Sequence, residues 1–357
     1  MRNFINIDKS SYINAINLEL GLYFPLKGFV TLENYKSILS KKKIDNINFT
    51  IPINLFCSKT KFEKLKIGEI VSLKYKRDII GYITLESKFI VKKFSFLRSI
   101  FGTTSTKHLG VKNYSKKIEK NPFSLGGKVF LNRNKVSKFF KINNFDTIRK
   151  LKKVKNRDVA FSTRNIPHIG HNLIQKKIIE NKKNLTIFLI LTIKNKYAEK
   201  VLLGSYKALK LNKIFRNINI LFIYFPTFFA GPNEAFLQAK IFENMKFKSF
   251  YVGRDHAGYK SFYDKFDSQK IFNKIKSKIK IIKLNEPMMC NSCEVAIINK
   301  YKKKKTCPLC QGHKLSELNG TDIKFLLKRK KADILLKLLD PSVFNFFKKK
   351  NFSLQNS

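Results

Sequence analysis

The residues best equipped for chemistry lie between Asp158 and His171, where the chain reads DVAFSTRNIPHIGH. An apolar run, Val159-Ala160-Phe161, feeds a polar turn of Ser162, Thr163, Arg164 and Asn165, and Pro167 leads into His168-Ile169-Gly170-His171. Leu173, Ile174, Ile178 and Ile179 then recur at helical spacing, which predicts a helix from about Asn172 to Asn181. A strand, a polar turn and a helix N-terminus in that order gather backbone N–H groups on an anion such as a nucleotide phosphate. Two histidines three apart on the first turn can face one ligand together, and Gly170 lets that ligand come close to the backbone. The plainer alternative is a helix cap that happens to hold two histidines, but the whole chain has only five.

A second polar turn reads Gly253-Arg254-Asp255-His256-Ala257-Gly258. Two glycines, a guanidinium and an imidazole after a predicted strand suit an anionic ligand, with Arg254 as the clamp on its oxygens. Asp255 is expected to orient Arg254 or His256, the alternative being a surface ion pair between Arg254 and Asp255. Neither turn offers a Ser–His–Asp or Cys–His set, so the chemistry is phosphate handling without a covalent intermediate. Cys290-x2-Cys293 and Cys307-x2-Cys310 follow, thirteen residues apart. Two such knuckles suit tetrahedral Zn²⁺, and four thiolates leave no open position for a reactive water, so the metal would be structural. Free thiols or a redox pair are the other reading, and His313 is a substitute ligand for Cys310.

The elements that must position these groups fall into three predicted domains. Residues 1–150 are β-rich, with short apolar runs at Phe49–Ile51, Ile70–Leu73 and Ile79–Leu85 and a short helix at Leu32–Leu39. Gly102-Thr103-Thr104, His108-Leu109-Gly110 and Leu125-Gly126-Gly127 read as turns, and the basic stretch 143–156 as a connection. Residues 151–286 alternate strand and helix, which predicts a parallel, doubly wound α/β sheet. Turns at 162–171, 229–234 and 253–258 all follow predicted strands, so they belong on one rim, where ligands bind in such folds. Residues 287–357 carry the knuckles, a turn at Asn319-Gly320-Thr321, a helix to about Lys330 and a helical stretch before Asp340-Pro341. The last few residues are expected to be disordered.

The 357 residues, 43% hydrophobic and 13% aromatic, are globular in composition. Seventy-three basic against 24 acidic side chains give a formal charge of +49. That charge would suit nucleic acid. The lysines are spread over the chain, however, and Lys, Asn, Ile and Phe all have AT-rich codons, so compositional bias is favoured and a nucleic-acid partner is not expected. The charge still concentrates anionic substrates. Met1–Asp8 is polar and not a cleavable signal, and the most apolar run, Leu185–Ile193, is too short for the roughly 20 residues a bilayer needs, so no membrane partner is expected. Two CxxC pairs and a lone Cys57 suit a reducing cytoplasm.

These motifs resemble the ATP sulfurylase (sulfate adenylyltransferase) family in its single-chain bacterial form. The family's Gln-Thr-Arg-Asn-Pro-x-His-x-x-His is similar to Ser162 through His171, and its Gly-Arg-Asp-His-Ala-Gly is matched in full by Gly253–Gly258. Its Tyr-Ala-Gly-Pro-Arg-Glu-Ala resembles Phe229–Ala235, and its Tyr-x-x-Phe-Asp-x-Gln resembles Tyr263, Phe266, Asp267 and Gln269. Phe24-Pro25-Leu26-x-Gly28-Phe29, Phe101-Gly102-Thr103-Thr104, His108-Leu109-Gly110-Val111, the CxxC region and Asn319-Gly320-Thr321 carry the likeness along nearly the whole chain.

The resemblance implies an N-terminal PUA-like barrel, a Rossmann-like catalytic domain and a small C-terminal zinc-ribbon and helical region. It implies that ATP and sulfate give adenosine 5′-phosphosulfate and pyrophosphate by direct attack of sulfate on the α-phosphorus. Catalysis would then be positioning and charge neutralisation. Thr163, Arg164, Asn165, His168 and His171 would be catalytic. Arg164, His168, His171, Gly253, Arg254, Asp255, His256 and Met289 (or Met288, on the adenine side) would meet ATP. Ser162, Arg164, Arg254 and the Ala257 backbone would meet sulfate, Mg²⁺ would arrive with ATP, and a homo-oligomer is expected.

The chain departs from the family pattern in several places. Ser162 stands for the family's Gln, so sulfate affinity is where this chain should differ most from its relatives. Pro167 sits one place late, and Asn233 and Lys324 stand for arginines. No Gly-x4-Gly-Lys-Ser/Thr occurs, so no fused kinase is expected. Two other readings remain open. His-Ile-Gly-His also matches the ATP motif of class I aminoacyl-tRNA synthetases, and a basic zinc-ribbon protein that binds nucleic acid would fit the knuckles and charge.

Overall fold

The computed structural model describes residues 3–137, 144–191, 196–290, 292–298, 306–310, 314–318 and 320–353. His313, Asn319 and the last residues, from 354, lie outside the described residues. The chain divides into two compact units, one of Met1–Lys152 with Tyr224–Ile281 and one of Lys153–Ile223 with Ile282–Ser357.

In the first unit, strands Phe4–Asn6, Ile70–Tyr75, Asp78–Ile90, Phe123–Leu131 and Gly28–Phe29 lie in that order in one sheet, and Leu55–Cys57 also pairs with Phe123–Leu131. The long Asp78–Ile90 strand alternates buried and less buried residues, as one covered face requires. Gly126 and Gly127, predicted as a turn, lie inside a strand instead. A Cβ on Gly126 would stand 2.3 Å from the Val30 carbonyl oxygen and one on Gly127 1.9 Å from that of Thr84. These glycines are there for close approach of neighbouring backbone.

Other predicted turns prove to be helix ends. Gly102 is the left-handed cap that closes helix Lys93–Phe101, and His108 is the N-cap of helix Leu109–Lys120. Helix Lys9–Glu19 escapes periodicity because Ser11 through Leu18 are buried on every face, leaving no polar stripe to read. Phe49 and Ile51, predicted as a strand, are buried but outside any strand. The predicted connection after residue 143 is a helix, Asn144–Leu151. Asn144, 1% exposed, donates to the Tyr224 carbonyl at 2.6 Å and accepts from the Tyr224 N–H at 2.8 Å. One side-chain amide thus serves as a strand partner for the end of Asn219–Tyr224. This unit also holds the buried helix Pro232–Asn244, strand Ser249–Tyr251 and helix Asp267–Lys274.

In the second unit, strand Val159–Thr163 runs parallel to Leu185–Leu191, with Val159 opposite Leu185 and Thr163 opposite Leu189. Helix Ile169–Glu180 connects them. All seven residues of Leu185–Leu191 are buried, the continuous apolar run of a parallel strand covered on both faces. Asn219–Tyr224 is its other neighbour, reached through helix Lys196–Leu209. The strand and helix alternation predicted here is therefore realised, with the His168 helix starting three residues earlier than the apolar spacing indicated. Farther on, Val295–Ile298, Pro287–Cys290 and Leu315–Glu317 form a three-stranded antiparallel sheet. Helices Gly320–Lys328, Ala332–Leu338 and Pro341–Lys348 follow. Asp340-Pro341 starts this last helix and does not merely end its predecessor: the Asp340 carboxylate accepts from the Ser342 N–H at 3.0 Å, and proline takes the first helical position. Among the described residues no helix is long and apolar enough to cross a membrane.

Replacing Asn144 by leucine would leave the buried Tyr224 N–H without this partner, while the carbonyl would keep the bond from Asn17 Nδ2 at 3.1 Å. A loss of about 2–4 kcal/mol in unfolding free energy is expected. Urea unfolding of the variant beside the parent checks it, and an unchanged midpoint would show that the clamp carries no stability.

Candidate active site

The Ser162–His171 turn is built from buried backbone upward. Ser162 and Thr163, 8% and 6% exposed, end the parallel strand, and Thr163 Oγ1 accepts from the Asn165 N–H at 3.0 Å. That bond folds the chain sharply and presents Arg164 at its crest. His168 caps the following helix through its backbone, the Asn172 N–H donating to the His168 carbonyl at 2.9 Å. Its side chain makes no capping bond and is therefore available for something else. The His168 and His171 rings lie with centroids 4.2 Å apart at 30°, and the Phe161 ring meets His171 edge-on at 5.5 Å. Gly170 makes room for this pair, since a Cβ there would stand 3.3 Å from His168 Cε1 and Nδ1 and 3.2 Å from Pro287 Cγ.

Burial keeps both imidazoles neutral. It holds His168 well below its usual pKa, with the His171 charge a second cause, and draws His171 down to about 4. The Nδ1 atom of each is buried with no hydrogen-bond partner among the described residues. Two neutral rings thus offer unsatisfied ring nitrogens where the strand gives way to the helix, an arrangement that invites a polar ligand. The far side of the turn is bounded by helix Gly320–Lys328, where a Cβ on Gly320 would stand 2.5 Å from Asn165 Cγ. Partial burial and, second, the Arg164 charge lower the Lys324 pKa, so two cations share this region.

The Gly253–Gly258 turn lies in the first unit. Arg254 Nε pairs with Asp255 Oδ2 at 3.3 Å, the ion pair that the sequence allowed. His256 Nε2 bonds Gln238 Oε1 at 2.8 Å, and the His256 carbonyl accepts from Ser268 Oγ at 2.7 Å. Gln269 Nε2 donates to the Val252 carbonyl at 2.9 Å, which fixes the strand leading into Gly253. Asp255 and Ala257 both have positive φ, +49° and +57°, and the Ala257 carbonyl accepts from the Gly231 N–H at 3.0 Å.

Glu234 and Gln238 are functional candidates that the structure adds to those legible in the sequence. Glu234, 1% exposed, accepts from the Phe228 and Ala230 N–H groups at 3.0 and 3.2 Å, and Gln238 one helical turn on contacts it at 3.4 Å. The available signal is an acid four residues before a glutamine, Glu234 and Gln238, on the part of the helix that otherwise reads Ala-Phe-Leu.

Met289 lies in strand Pro287–Cys290, opposite Ala296 and Ser316, and lines a cavity of about 350 Å³ with Glu294, Asp322, Ile334 and Lys337. Met288 packs with Cys290, Cys307 and Leu315 beneath the knuckles. The four predicted cysteines converge, their sulfurs all within 4.8 Å of one another. Cys290 and Cys310 are 3.6 Å apart and Cys293 and Cys307 3.9 Å. The Cys293 N–H points at Cys290 Sγ at 3.4 Å and is the largest influence favouring that thiolate.

A parallel strand pair, a polar turn and a helix opened by paired histidines are the frame of a nucleotide-binding α/β protein. The sequence profile of the ATP-sulfurylase family matches residues 144–348, and that of a PUA-like domain matches residues 2–134. The chain belongs to the ATP-sulfurylase family. It is 30% identical to the sulfate adenylyltransferase of Halothermothrix orenii over 344 residues, covering 92% of this chain and 87% of that one. With the sulfate adenylyltransferase of Pyrococcus abyssi it shares 29% identity over 334 residues, 91% and 85% of the two chains. The solved structure of a hexameric APS kinase from Thiobacillus denitrificans superposes with a TM-score of 0.67 at 17% identity. The match covers 98% of this chain but 63% of that one, so this chain spans less than two thirds of its length.

The depressed histidines carry a pH dependence with a definite sign. An unfolded chain takes up protons at these rings near pH 6.5, while folded His171 waits until about pH 4. The stability that neutral burial confers is complete above pH 6.5 and is lost as pH falls toward 4. His171→Asn removes one titrating ring, so its thermal midpoint should fall less steeply than the parent's between those limits. Parallel curves would contradict the buried, neutral state.

Proposed function

We propose that this chain is a sulfate adenylyltransferase, converting ATP and sulfate to adenosine 5′-phosphosulfate and pyrophosphate. The observation that carries the reading is the pair of neutral imidazoles with unpartnered Nδ1 atoms in the family-matched segment. A sulfate oxygen attacks the α-phosphorus, a new S–O–P bridge forms, the bond to the β-phosphate oxygen breaks, and pyrophosphate leaves with that electron pair. No enzyme-bound intermediate is needed, so the residues position groups and absorb charge. Neutral rings at His168 and His171 donate N–H bonds to phosphate oxygens without adding fixed cations that would hold pyrophosphate back. Thr163 and Asn165 lie along the α-phosphate and the leaving group. Arg164, Arg254, Ser162 and the Ala257 backbone receive sulfate, while Gly253, Arg254, Asp255, His256 and Met289 serve ATP. Mg²⁺ enters with the nucleotide.

The proposal includes three domains in sequence order, 1–150 PUA-like, 151–286 catalytic and 287–357 C-terminal, of which the PUA-like profile over residues 2–134 supports the first. It includes a cytoplasmic homo-oligomer. It assigns the +49 charge to composition and anion attraction, not to nucleic acid. The knuckles would hold a structural Zn²⁺. Ligands at ~2.3 Å from zinc stand about 3.8 Å apart at the corners of a tetrahedron, which the 3.6 and 3.9 Å sulfur separations fit. Such an ion would fix the three-stranded sheet and take no part in the reaction.

Pyrophosphate release from ATP, measured with and without sulfate, tests the activity. Sulfate-dependent release is expected; release that needs an amino acid and tRNA would sink the reading. His171→Ala and Arg254→Ala should each lower turnover at least ~100-fold with unchanged circular dichroism, and near-full activity in either would refute the site assignment. Elemental analysis of the freshly purified protein should find one zinc per chain, and a folded, zinc-free preparation would remove the knuckle claim.

A further inference from the structure

His108 is fully buried, at 0% exposure. Its Nδ1 accepts the Val111 N–H at 3.2 Å as a helix cap, which puts the ring hydrogen on Nε2. That Nε2–H points at the Phe229 carbonyl at 3.1 Å. The rings of Phe101, Tyr259, Phe262 and Tyr263 surround the imidazole at 4.9–5.8 Å. Desolvation lowers its pKa, so the ring stays neutral and both bonds persist at neutral pH.

What it holds is an improbable piece of backbone. Phe229 has φ +64°, a left-handed conformation that a bulky side chain avoids unless its surroundings impose it. Gly110 presses on the same stretch, since a Cβ there would stand 2.2 Å from the Phe228 carbonyl oxygen. Glu234 takes the Phe228 and Ala230 N–H groups while His108 takes the carbonyl between them. One step on, the Gly231 N–H donates to the Ala257 carbonyl at 3.0 Å.

We infer that His108 is a positioning residue for sulfate, fixing the left-handed turn at Phe229 and, through the Gly231–Ala257 bond, the Ala257 backbone. The inference rests on the proposed function, in which that backbone meets sulfate. The ring Nε2 also lies 3.3 Å from the Tyr263 hydroxyl, and two variants separate the capping bond at Nδ1 from the contacts at Nε2. His108→Asn keeps a favoured capping acceptor but is too short to reach Phe229, whereas His108→Gln carries an amide donor nearly as far as Nε2. Sulfate-dependent pyrophosphate release is measured for both at varied sulfate and varied ATP, with thermal midpoints. His108→Asn should raise KM for sulfate about tenfold, the worth of one hydrogen bond, with KM for ATP within about twofold and a folded protein. His108→Gln should recover part of the sulfate KM, and if the asparagine variant does not fold, a sulfate-selective rise in the glutamine variant carries the test. Equal rises in both KM values, or activity that only tracks the folded fraction, would make His108 a merely structural group. No sulfate-dependent turnover in the unmodified chain would overturn the proposed function itself, a result readily told apart from a failure of His108 alone.

Discussion

A single buried carboxylate sets the geometry of the Phe228–His256 region. Glu234 sits in the first turn of its helix, where the helix dipole favours negative charge, and it is solvated by protein instead of water. Its N–H donors come from the turn just before the helix, and its other neighbour, Gln238, reaches His256. A carboxyl group left without donors at this depth would be destabilising, so the turn's N–H groups and the helix that carries Glu234 support one another. Because the carboxylate needs both peptide N–H groups, the chain tolerates a left-handed phenylalanine between them.

The second unit handles charge the opposite way. With 73 basic side chains in the sequence, one would expect cations wherever an anion is to bind. The helix at His168 instead opens on two imidazoles that burial keeps uncharged, and the guanidinium of Arg164 stands outside the buried strand that carries it. Charge spread over the whole surface attracts anions at a distance, while the buried rings at this helix start carry no charge of their own. The +49 charge and the neutral pair are therefore not in conflict: they act at different separations.

Much of the α/β half was legible because its strands are continuous apolar runs and its turns carry residues with strong chemical signatures. Leu185–Leu191 and the Ser162–His171 turn needed little beyond pattern and residue type. The sequence was least legible where a residue acts on something remote. Asn144 looked like part of a basic connection because its partner, Tyr224, lies 80 residues away. Gly126 and Gly127 looked like a turn because nothing local reveals that neighbouring backbone will come too close for a methyl group. Gly102 and His108 read as turns because a chain break signals a change of direction without saying that a helix ends at one and starts at the other. In the site, residue types announced Arg254 and the two histidines, whereas Glu234 and Gln238 were hidden by lying inside a helix whose other residues are mostly apolar.

The contact between Gly320 and Asn165 has a consequence for the history of the C-terminal segment. The first residue of helix Gly320–Lys328 occupies a gap too small for one added carbon beside Asn165. Lys324, a turn later, feels the Arg164 charge. A Cβ at Gly320 would make the Asn165 amide shift, which couples the start of this helix to the Ser162–Asn165 turn. Recombination that swaps one without the other should yield chains that fold but fit badly at the turn, so the two stretches are expected to be inherited as a pair.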